Sequence, residues 1–333
     1  MAMGIEIRKI LADCDLDGLI AAAVLKTVYP DAEVCFGHPA ELRSGIHDHW
    51  IDASTAICDL PFHPNCGLYL DHHATNRPSA EEQALFEAGG GVCQWEDKPS
   101  AARVAYDLYL GDNDLSHLTP LMAMVDALDS GGITREQLFS DDPVLWLSKT
   151  ISLTDIEYTH RLLGWLFRGR EFSEIMAEPE VVERITARKL ESSEMRASLD
   201  DFGKVVDRLA IVRFDDTGRR TNGYLVTAHF GDECDACLIV HGWSDGSIGD
   251  HERPPLGASF YTNSFLHSGG EGVMDLSVMA MQFDATGGGH ANACGCRIQA
   301  LDENGIAAQR DVGSDDVERN ILGWLATWRE HTM

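Results

Sequence analysis

The chain has 333 residues, 44% of them hydrophobic, and a formal net charge of −28 at pH 7. It contains no run of about 18 apolar residues, which excludes a typical membrane-spanning helix. Such an acidic surface repels phosphate backbones, so tight binding of long duplex nucleic acid is not expected, whereas small anions drawn to a bound cation are compatible with it. The length favours two domains, because single cores rarely grow beyond about 250–300 residues.

Nine cysteines, an odd number scattered along the chain, argue against a disulfide framework and for a reducing compartment. The first ten residues contain no basic segment followed by an apolar stretch, so no secretory signal is expected. We therefore expect a cytoplasmic protein. Cys234 and Cys237, with Cys294 and Cys296, have a spacing that fits a zinc site, but packing in the core is the favoured interpretation.

The first half of the chain alternates short apolar strands with helices, and a buried helix is predicted over residues 18–28. This alternation favours parallel pairing with right-handed crossovers. The predicted fold class is α/β: an N-terminal parallel sheet with helices on both faces, and a smaller C-terminal α/β domain. The predicted strands of the first half cover residues 5–12, 33–36, 53–60 and 67–70.

Acidic and histidine residues follow three of these strands. The carboxyl ends of parallel strands meet at one edge of a sheet, so we expect these side chains to converge. Clustered carboxylates repel one another unless a divalent cation is bound, which points to a metal-dependent hydrolase. For the three acids that follow the first strand, Asp13, Asp15 and Asp17, the alternative is an acidic loop that caps the next helix. The residues are Asp13, Asp15 and Asp17, then Asp59, then Asp71, His72 and His73.

The middle of the chain is predicted to be helical. Ser100 is suited to be the N-cap of a helix over residues 101–110, and Thr119 followed by Pro120 begins another, which ends in acids. Further helices are predicted within residues 143–167 and over residues 180–195.

The remainder is predicted to form a second domain, with turns at residues 215–218 and 222–223 and a glycine run at 287–289. We place the first domain at residues 1–195, a linker at 196–208 and the second domain at 209–333. Strands are predicted over residues 209–213, 224–228, 236–240 and 257–262, and helices over 275–282 and from about 314.

Four short motifs occur in order along the chain: Asp13-Cys14-Asp15-Leu16-Asp17-Gly18, Asp59, Asp71-His72-His73 and Asp129-Ser130-Gly131. They resemble the successive motifs of the DHH phosphoesterase family. The segment from Thr286 to Gly295 resembles the signature of the DHH-associated C-terminal domain, so the match spans nearly the whole chain. The resemblance implies a metal-binding catalytic domain followed by a substrate-binding domain, with two divalent ions, most commonly Mn²⁺, between them.

The family includes single-strand exonucleases, nano-RNA and phosphoadenosine phosphatases, cyclic-dinucleotide hydrolases, and exopolyphosphatase and pyrophosphatase relatives. The resemblance therefore implies a manganese-dependent phosphoesterase that acts on short oligonucleotides or small nucleotides. The alternatives are a phosphoanhydride hydrolase acting on polyphosphate or pyrophosphate, and a non-catalytic nucleotide-binding regulatory protein. The expected partner is a small phosphorylated substrate, no membrane partner is expected, and a homodimer is left open.

The resemblance also implies roles for individual residues. His73 would face the scissile phosphate, and Asp71 would orient His72 or hold the turn. Asp126 competes with Asp129 for the fourth motif, and Asp129 is favoured because Ser-Gly follows it. Mixed imidazole and carboxylate ligands suit manganese, iron, cobalt or zinc. The implied ligands are Asp13 and Asp15 on one metal, Asp17, His72 and Asp129 on the other, and Asp59 bridging both.

Substrate contacts are predicted in the second domain. Gly287, Gly288 and Gly289 allow the backbone to approach an anion, and His290 adds a hydrogen bond or a positive charge. The alternative is a tight turn with a structural histidine. Many relatives carry an arginine where this chain has Tyr261, so a bidentate phosphate contact is missing there. Tyr261 is expected to hydrogen-bond or stack on a base, with core packing as the alternative.

Overall fold

The computed structural model describes residues 5–267 and 272–332. The chain divides into two compact units: the first comprises Met1–Ser130 and Asp141–Lys189, and the second comprises Gly131–Ser140 and Leu190–Met333. Among the described helices, none combines the length and the apolar composition that a bilayer crossing requires.

The first unit contains a five-stranded sheet made of β1 (Lys9–Asp13), β2 (Glu33–Gly37), β3 (Thr55–Cys58), β4 (Leu68–Asp71) and β5 (Val92–Trp95). Every pairing in it is parallel, in the order β2-β1-β3-β4-β5, which confirms the predicted parallel α/β architecture. Strand β5 was not predicted, because its four half-buried residues include a glutamine and form no clear apolar run.

The helices up to residue 202 are α1 (Leu16–Val28), α2 (Pro39–Arg43), α3 (Ala80–Ala88), α4 (Ala101–Tyr109), α5 (Thr119–Asp129), α6 (Arg135–Leu138), α7 (Pro143–Ser148), α8 (Ile156–Phe167), α9 (Phe172–Met176) and α10 (Pro179–Phe202). Ser100 is the N-cap of α4, as predicted, and its hydroxyl accepts a hydrogen bond from the amide of Arg103.

Helices cover both faces of the parallel sheet. On one face Leu11, Ile57 and Tyr69 pack with Leu42 of α2 and Phe86 of α3. Because side chains alternate along a strand, the neighbouring residues face the other side, where α1 and α4 pack. This two-sided burial leaves the carboxyl edge of the sheet for polar side chains.

The second unit contains a mixed six-stranded sheet. The strands Leu209–Arg213 (β7) and Ala236–His241 (β8) pair in parallel, and the other pairings among the described strands are antiparallel. The strands, in the order in which they lie side by side, are β10 (Gly288–His290), β11 (Ala293–Arg297), β9 (Gly257–Thr262), β8 (Ala236–His241), β7 (Leu209–Arg213) and β6 (Gly203–Val206). The helices are α11 (Gly223–Phe230), α12 (Ser277–Met281) and α13 (Ser314–Thr332).

Two predictions about the second half were wrong. Residues 224–228, predicted as a strand, lie in helix α11, because Asn222 is not in a turn but is the N-cap whose side chain accepts the amide hydrogen of Leu225. The residues predicted as a linker, 196–208, instead form the end of α10 and strand β6, which pairs with β7.

Residues 131–140 also belong to the second unit, although no pattern in the sequence indicated it. Helix α6 lies in this stretch, and the Arg135 guanidinium donates a 2.9 Å hydrogen bond to the carbonyl of Ala228 in α11.

The cysteines considered as a zinc site do not form one. Cys237 packs with Val212 in the core on one face of the second sheet, and Cys294 packs with Trp324 in the core on the opposite face. All nine cysteines are free thiols. Core packing is therefore the correct interpretation of these residues.

Candidate metal centre

The acids that follow the parallel strands converge at the carboxyl edge of the first sheet. Asp13 ends β1, Asp59 follows β3 directly, and Asp15 begins the turn into α1. Ligand atoms of these three residues all lie within 4.8 Å of one another. Asp15 also caps α1, since its Oδ1 accepts the amide hydrogen of Gly18 at 2.9 Å. Asp15 therefore caps the helix, as the alternative interpretation of these acids predicted. This cap uses only one of the two carboxylate oxygens of Asp15.

A second group surrounds the imidazole of His72. Its Nε2 lies 2.8 Å from Oδ2 of Asp129, 3.6 Å from Oδ2 of Asp17 and 4.0 Å from Oδ1 of Asp59. The side chains of His72, Asp17 and Asp59 are almost fully buried. Asp59 therefore belongs to both groups.

Asp59 adopts a left-handed backbone conformation, with φ of +60°. Aspartate is among the few residues other than glycine that tolerate this region. The amide of Asp59 donates to the carbonyl of Leu70 across the sheet at 3.1 Å, which holds the turn in place. Oδ1 of Asp59 is buried and accepts no hydrogen bond from the described residues, since Nδ1 of His73, 3.5 Å away, is bonded to Asp71 instead. A buried carboxylate oxygen in this state is costly unless a cation binds it.

The carboxylate of Asp71 supports His73 and the turn that carries both histidines. Its Oδ1 accepts hydrogen bonds from Nδ1 of His73 at 2.9 Å and from the amides of both histidines. Its Oδ2 accepts from the Tyr69 hydroxyl and the Asn76 side-chain amide, each at 2.8 Å. Although burial raises the pKa of Asp71, the charge and hydrogen bonds of His73 outweigh it and hold that pKa below its usual value. Asp71 therefore holds the turn, which is one of its two expected roles, while the orientation of the His72 ring has another source.

His72 is oriented by a backbone group that the sequence did not reveal. Its Nδ1 lies 2.9 Å from the carbonyl oxygen of Lys98. A carbonyl can only accept, so Nδ1 carries the proton and Nε2 is directed at the acids. This tautomer is the one that presents a nitrogen lone pair to a metal.

Asp17 and Asp129 are positioned by helix termini. Both oxygens of Asp17 accept amide hydrogens at the N-terminus of α4, from Ala101 at 2.8 Å and from Ala102 at 2.6 Å. Asp129 is the last residue of α5. Asp126, the competing candidate for the fourth motif, instead pairs with Arg103 at 2.7 Å, so the geometry favours Asp129.

Charge repulsion and burial dominate the electrostatics of the cluster. Burial is the largest cause that raises the pKa of Asp13, Asp17 and Asp59, and neighbouring carboxylates raise it further. Burial lowers the pKa of His72, but its contact with Asp129 outweighs burial and raises that pKa to about 9. The metal-free cluster therefore retains protons that a divalent cation can replace. Together with the orphaned oxygen of Asp59, this donor set of imidazole and carboxylate fits a metal centre.

The glycine run lies in the second unit, where the backbone is tightly packed. Gly289 has a φ of +134°, and a Cβ there would lie 2.6 Å from the carbonyl oxygen of Ala293. A Cβ on Gly287 would lie 2.4 Å from the carbonyl oxygen of Ala280. Close packing within the unit thus accounts for these two glycines whether or not an anion binds to them.

His290 and Tyr261 both pair with Ala293, from the strands on either side of β11. The ring of Tyr261 packs against Gly223, where a Cβ would lie 2.0 Å from Cγ of the tyrosine. Burial raises the pKa of Tyr261 to about 12. Tyr261 is therefore packed against neighbouring residues, which was the alternative interpretation. Because Tyr261 and His290 both pair with Ala293, a role for Tyr261 in substrate binding is kept as a proposal.

No protein-family model matches the chain, and no curated protein sequence matches it. Solved structures of other proteins do match the chain. The pGpG-specific phosphodiesterase PggH from Vibrio cholerae matches with a TM-score of 0.61 at 19% identity, over 97% of this chain and 99% of that one. A DHH domain from a member of a family of ribosomal proteins matches with a TM-score of 0.58 at 13% identity, over 97% of this chain and 87% of that one.

A third match is RecJ from Thermus thermophilus in complex with Mn²⁺, with a TM-score of 0.50 at 12% identity. It covers 96% of this chain and 52% of that one, so this chain spans about half of the RecJ protein. At these identities the comparison concerns fold, and it confirms the fold that the resemblance implied. The chain therefore has the fold of the pGpG-specific phosphodiesterase and of the DHH domain.

Proposed function

We propose that this chain is a divalent-metal-dependent phosphoesterase that hydrolyses terminal phosphate esters of small nucleotides or short oligonucleotides. The observation that carries the proposal is the position of Asp59, which belongs both to the group with Asp13 and Asp15 and to the group around His72. A carboxylate shared by two ligand groups has one oxygen available for each of two ions that lie about 3.5–4 Å apart.

Two ions would be held by the two groups. A bound pair of divalent ions supplies an activated water and stabilises the entering and leaving oxygens of a phosphoryl group. Mn²⁺ is the proposed metal, since it accepts imidazole and carboxylate together and is the ion in the RecJ structure of the same fold. The proposed ligands are Asp13 and Asp15 for one ion, Asp17, His72 and Asp129 for the other, and Asp59 for both.

His73 is the proposed contact for the scissile phosphate. Its Nδ1 is held by Asp71, so the proposed contact with a phosphate oxygen would be made by Nε2. Burial lowers the pKa of His73, but the charge of Asp71 outweighs it and raises that pKa. A raised pKa favours the protonated ring, which donates a hydrogen bond to a phosphate oxygen. In the second unit, His290, Tyr261 and the amides of Gly287, Gly288 and Gly289 are the proposed substrate contacts.

The substrate class follows from charge and from the relatives. A chain with a net charge of −28 is poorly suited to long nucleic acids, and a small anion can be held mainly by metal. The phosphodiesterase of the same fold is named for a dinucleotide, pGpG. Both considerations support a small nucleotide substrate.

The test is turnover by the Mn²⁺-loaded protein on a panel of five substrates: a dinucleotide, a nucleoside bisphosphate, a short oligonucleotide, pyrophosphate and polyphosphate. We expect the highest kcat/KM for one of the three nucleotide substrates, and loss of turnover in Asp59→Asn. Preference for pyrophosphate or polyphosphate would instead establish a phosphoanhydride hydrolase. Nucleotide binding without turnover under Mn²⁺, Co²⁺, Zn²⁺ and Mg²⁺ would establish a binding protein.

A further inference from the structure

The segment of residues 98–103, which enters helix α4, contacts two of the proposed ligands through its backbone. The carbonyl of Lys98 accepts from Nδ1 of His72, and the amides of Ala101 and Ala102 donate to the two oxygens of Asp17. These contacts fix the orientation of one imidazole and one carboxylate from a single short stretch of chain. The segment is therefore well placed to control the geometry of the whole group around His72.

Two side chains of the same segment bind Asp126 of helix α5. The Ser100 hydroxyl donates to Oδ1 of Asp126 at 2.8 Å, and the Arg103 guanidinium donates to Oδ2 through Nε at 3.1 Å and Nη2 at 2.7 Å. Both carboxylate oxygens of Asp126 are thus used to join α5 to the start of α4. The side chains of Arg103 and Asp126 are only 25% and 20% exposed, respectively, so water competes weakly for the contact.

Asp126 lies about one helical turn before Asp129. Its carbonyl accepts hydrogen bonds from the amide of Ser130 at 3.0 Å and from the Ser130 hydroxyl at 2.6 Å, which closes the last turn of α5. Residues three apart in a helix lie on nearly the same face, so Asp126 and Asp129 leave α5 on neighbouring parts of its surface. Oδ2 of Asp129 lies 2.8 Å from Nε2 of His72.

We propose that Arg103 and Asp126 are positioning residues for Asp129. Their ion pair holds the last turn of α5 against α4, so that Asp129 meets His72 at the distance that a shared metal requires. The inference rests on the proposed function for the role of Asp129 as a metal ligand. It adds that metal affinity depends on a salt bridge whose members do not themselves bind the metal.

A matched control is available on the same helix as Arg103, at Asp107. Nη1 of Arg103 lies 3.5 Å from Oδ1 of Asp107, four residues later in α4. Replacing Asp107 removes this charge partner of the arginine without touching α5, and it also removes the 2.9 Å ion pair of Asp107 with the Lys98 side chain, so unchanged affinity would show that neither pairing accounts for the loss. A variant at Asp126 and a variant at Asp107 therefore separate positioning of Asp129 from the general effect of an altered ion pair on this helix.

The experiment measures Mn²⁺ affinity by isothermal titration calorimetry, which needs no substrate. Removing a group that orients a metal ligand typically weakens affinity by about 10–100-fold. We expect such a loss in Arg103→Gln and in Asp126→Asn, and a change of less than about twofold in Asp107→Asn. In the Asp129→Ala background, Arg103→Gln is expected to cause no further loss, because a positioning residue has nothing left to position.

The outcomes separate this inference from the proposed function. Unchanged Mn²⁺ affinity in Asp129→Ala would remove Asp129 from the ligand set and overturn the proposed metal centre. Loss in Asp129→Ala with wild-type affinity in both Arg103→Gln and Asp126→Asn would overturn the positioning role alone. A further loss when Arg103→Gln is added to Asp129→Ala would also overturn it. Should Arg103→Gln not fold, judged by circular dichroism, Arg103→Lys keeps the charge but lacks the fork, and the same loss is expected.

Discussion

Nε2 of His72 lies 2.8 Å from Oδ2 of Asp129, and the opposite nitrogen of the same ring contacts the carbonyl of Lys98 at 2.9 Å. One ring is therefore fixed between a backbone group and an acid from a different helix. An imidazole held at both nitrogens cannot rotate to another partner without losing two contacts. This rigidity prepares the site for a metal before any metal arrives.

Replacing Asp59 should have opposite effects on metal-free stability and on metal binding. In Asp59→Asn a neutral amide replaces a buried carboxyl whose ionised form is opposed by burial and by neighbouring carboxylates, and asparagine tolerates the left-handed backbone there. We expect a melting temperature in EDTA at or above that of the wild type, and no increase on adding Mn²⁺. Differential scanning calorimetry measures both. Glu303→Gln, on an exposed surface residue, is the control and should keep the Mn²⁺-induced increase. A wild-type increase in Asp59→Asn would contradict the assignment.

The two donors to Oδ2 of Asp71 should matter for the histidine that Asp71 holds. Tyr69→Phe and Asn76→Ala each remove one of these hydrogen bonds. We expect each variant to lose about 1–2 kcal/mol of unfolding free energy, because a hydrogen bond to a buried carboxylate is lost. If His73 acts on the phosphate, kcat should also fall by more than KM rises. Urea unfolding and steady-state kinetics measure these effects.

The control for these two variants is Arg43→Ala. It removes a 3.1 Å hydrogen bond to the side-chain oxygen of Asn76 and leaves the carboxylate of Asp71 with both of its donors. We expect Arg43→Ala to keep kcat near the wild-type value. An equal fall in kcat in all three variants would show a general loosening of the turn instead of an effect through Asp71.

Stability of the second unit should fall in acid because of Asp316. Its buried carboxylate accepts hydrogen bonds from Arg310 and from the amides of Leu301 and Gly313, and the Arg310 contact is the main cause that lowers its pKa. A lowered folded-state pKa stabilises the protein above the unfolded value of about 3.9 and loses that effect as the pH falls further. Asp316→Asn is expected to cost about 2–3 kcal/mol at pH 6. Measured by thermal unfolding, the difference in stability between the wild type and Asp316→Asn should become smaller below about pH 4. A difference that does not change with pH would contradict this role of Asp316.

Gly289 and Gly305 allow backbone strain to be separated from steric overlap. Both have positive φ, but a Cβ on Gly289 meets Ala293 at 2.6 Å, whereas a Cβ on Gly305 has no atom within 4 Å. Gly305→Ala should cost about 1 kcal/mol through backbone strain alone. Gly289→Ala should cost clearly more, about 3 kcal/mol, because the overlap is with backbone. Chemical denaturation measures both, and equal costs would show that β10 yields to the extra methyl group.

The convergence of acids could be predicted because it follows from strand direction. Asp13, Asp59 and Asp71 each stand where an apolar run ends, and parallel pairing then brings those ends to one edge. Nothing about side-chain orientation was needed for that step. The support of His72 could not be predicted, since its partner is a carbonyl of Lys98 and every residue has a carbonyl.

The prediction of a strand over residues 224–228 was wrong for a physical reason. Residues 224–228 are an apolar run short enough for either a strand or a buried helix, and periodicity cannot separate the two. The helix forms there because the side chain of Asn222 caps its N-terminus. The role of Asp126 was likewise hidden, because its partner Arg103 lies on another helix and pairing between helices leaves no local pattern.

The hydrogen bond between Arg135 and Ala228 joins two segments that are synthesised at different times. The ribosome delivers helix α6 93 residues before its partner carbonyl, while the first unit is not complete until residue 189 has been added. When residue 189 has been added, the carbonyl of Ala228 that Arg135 binds has not yet been synthesised. Translation pauses between residues 140 and 228 would lengthen the exposure of residues 131–140, so the fold couples the fate of a short early segment to sequence that is translated much later.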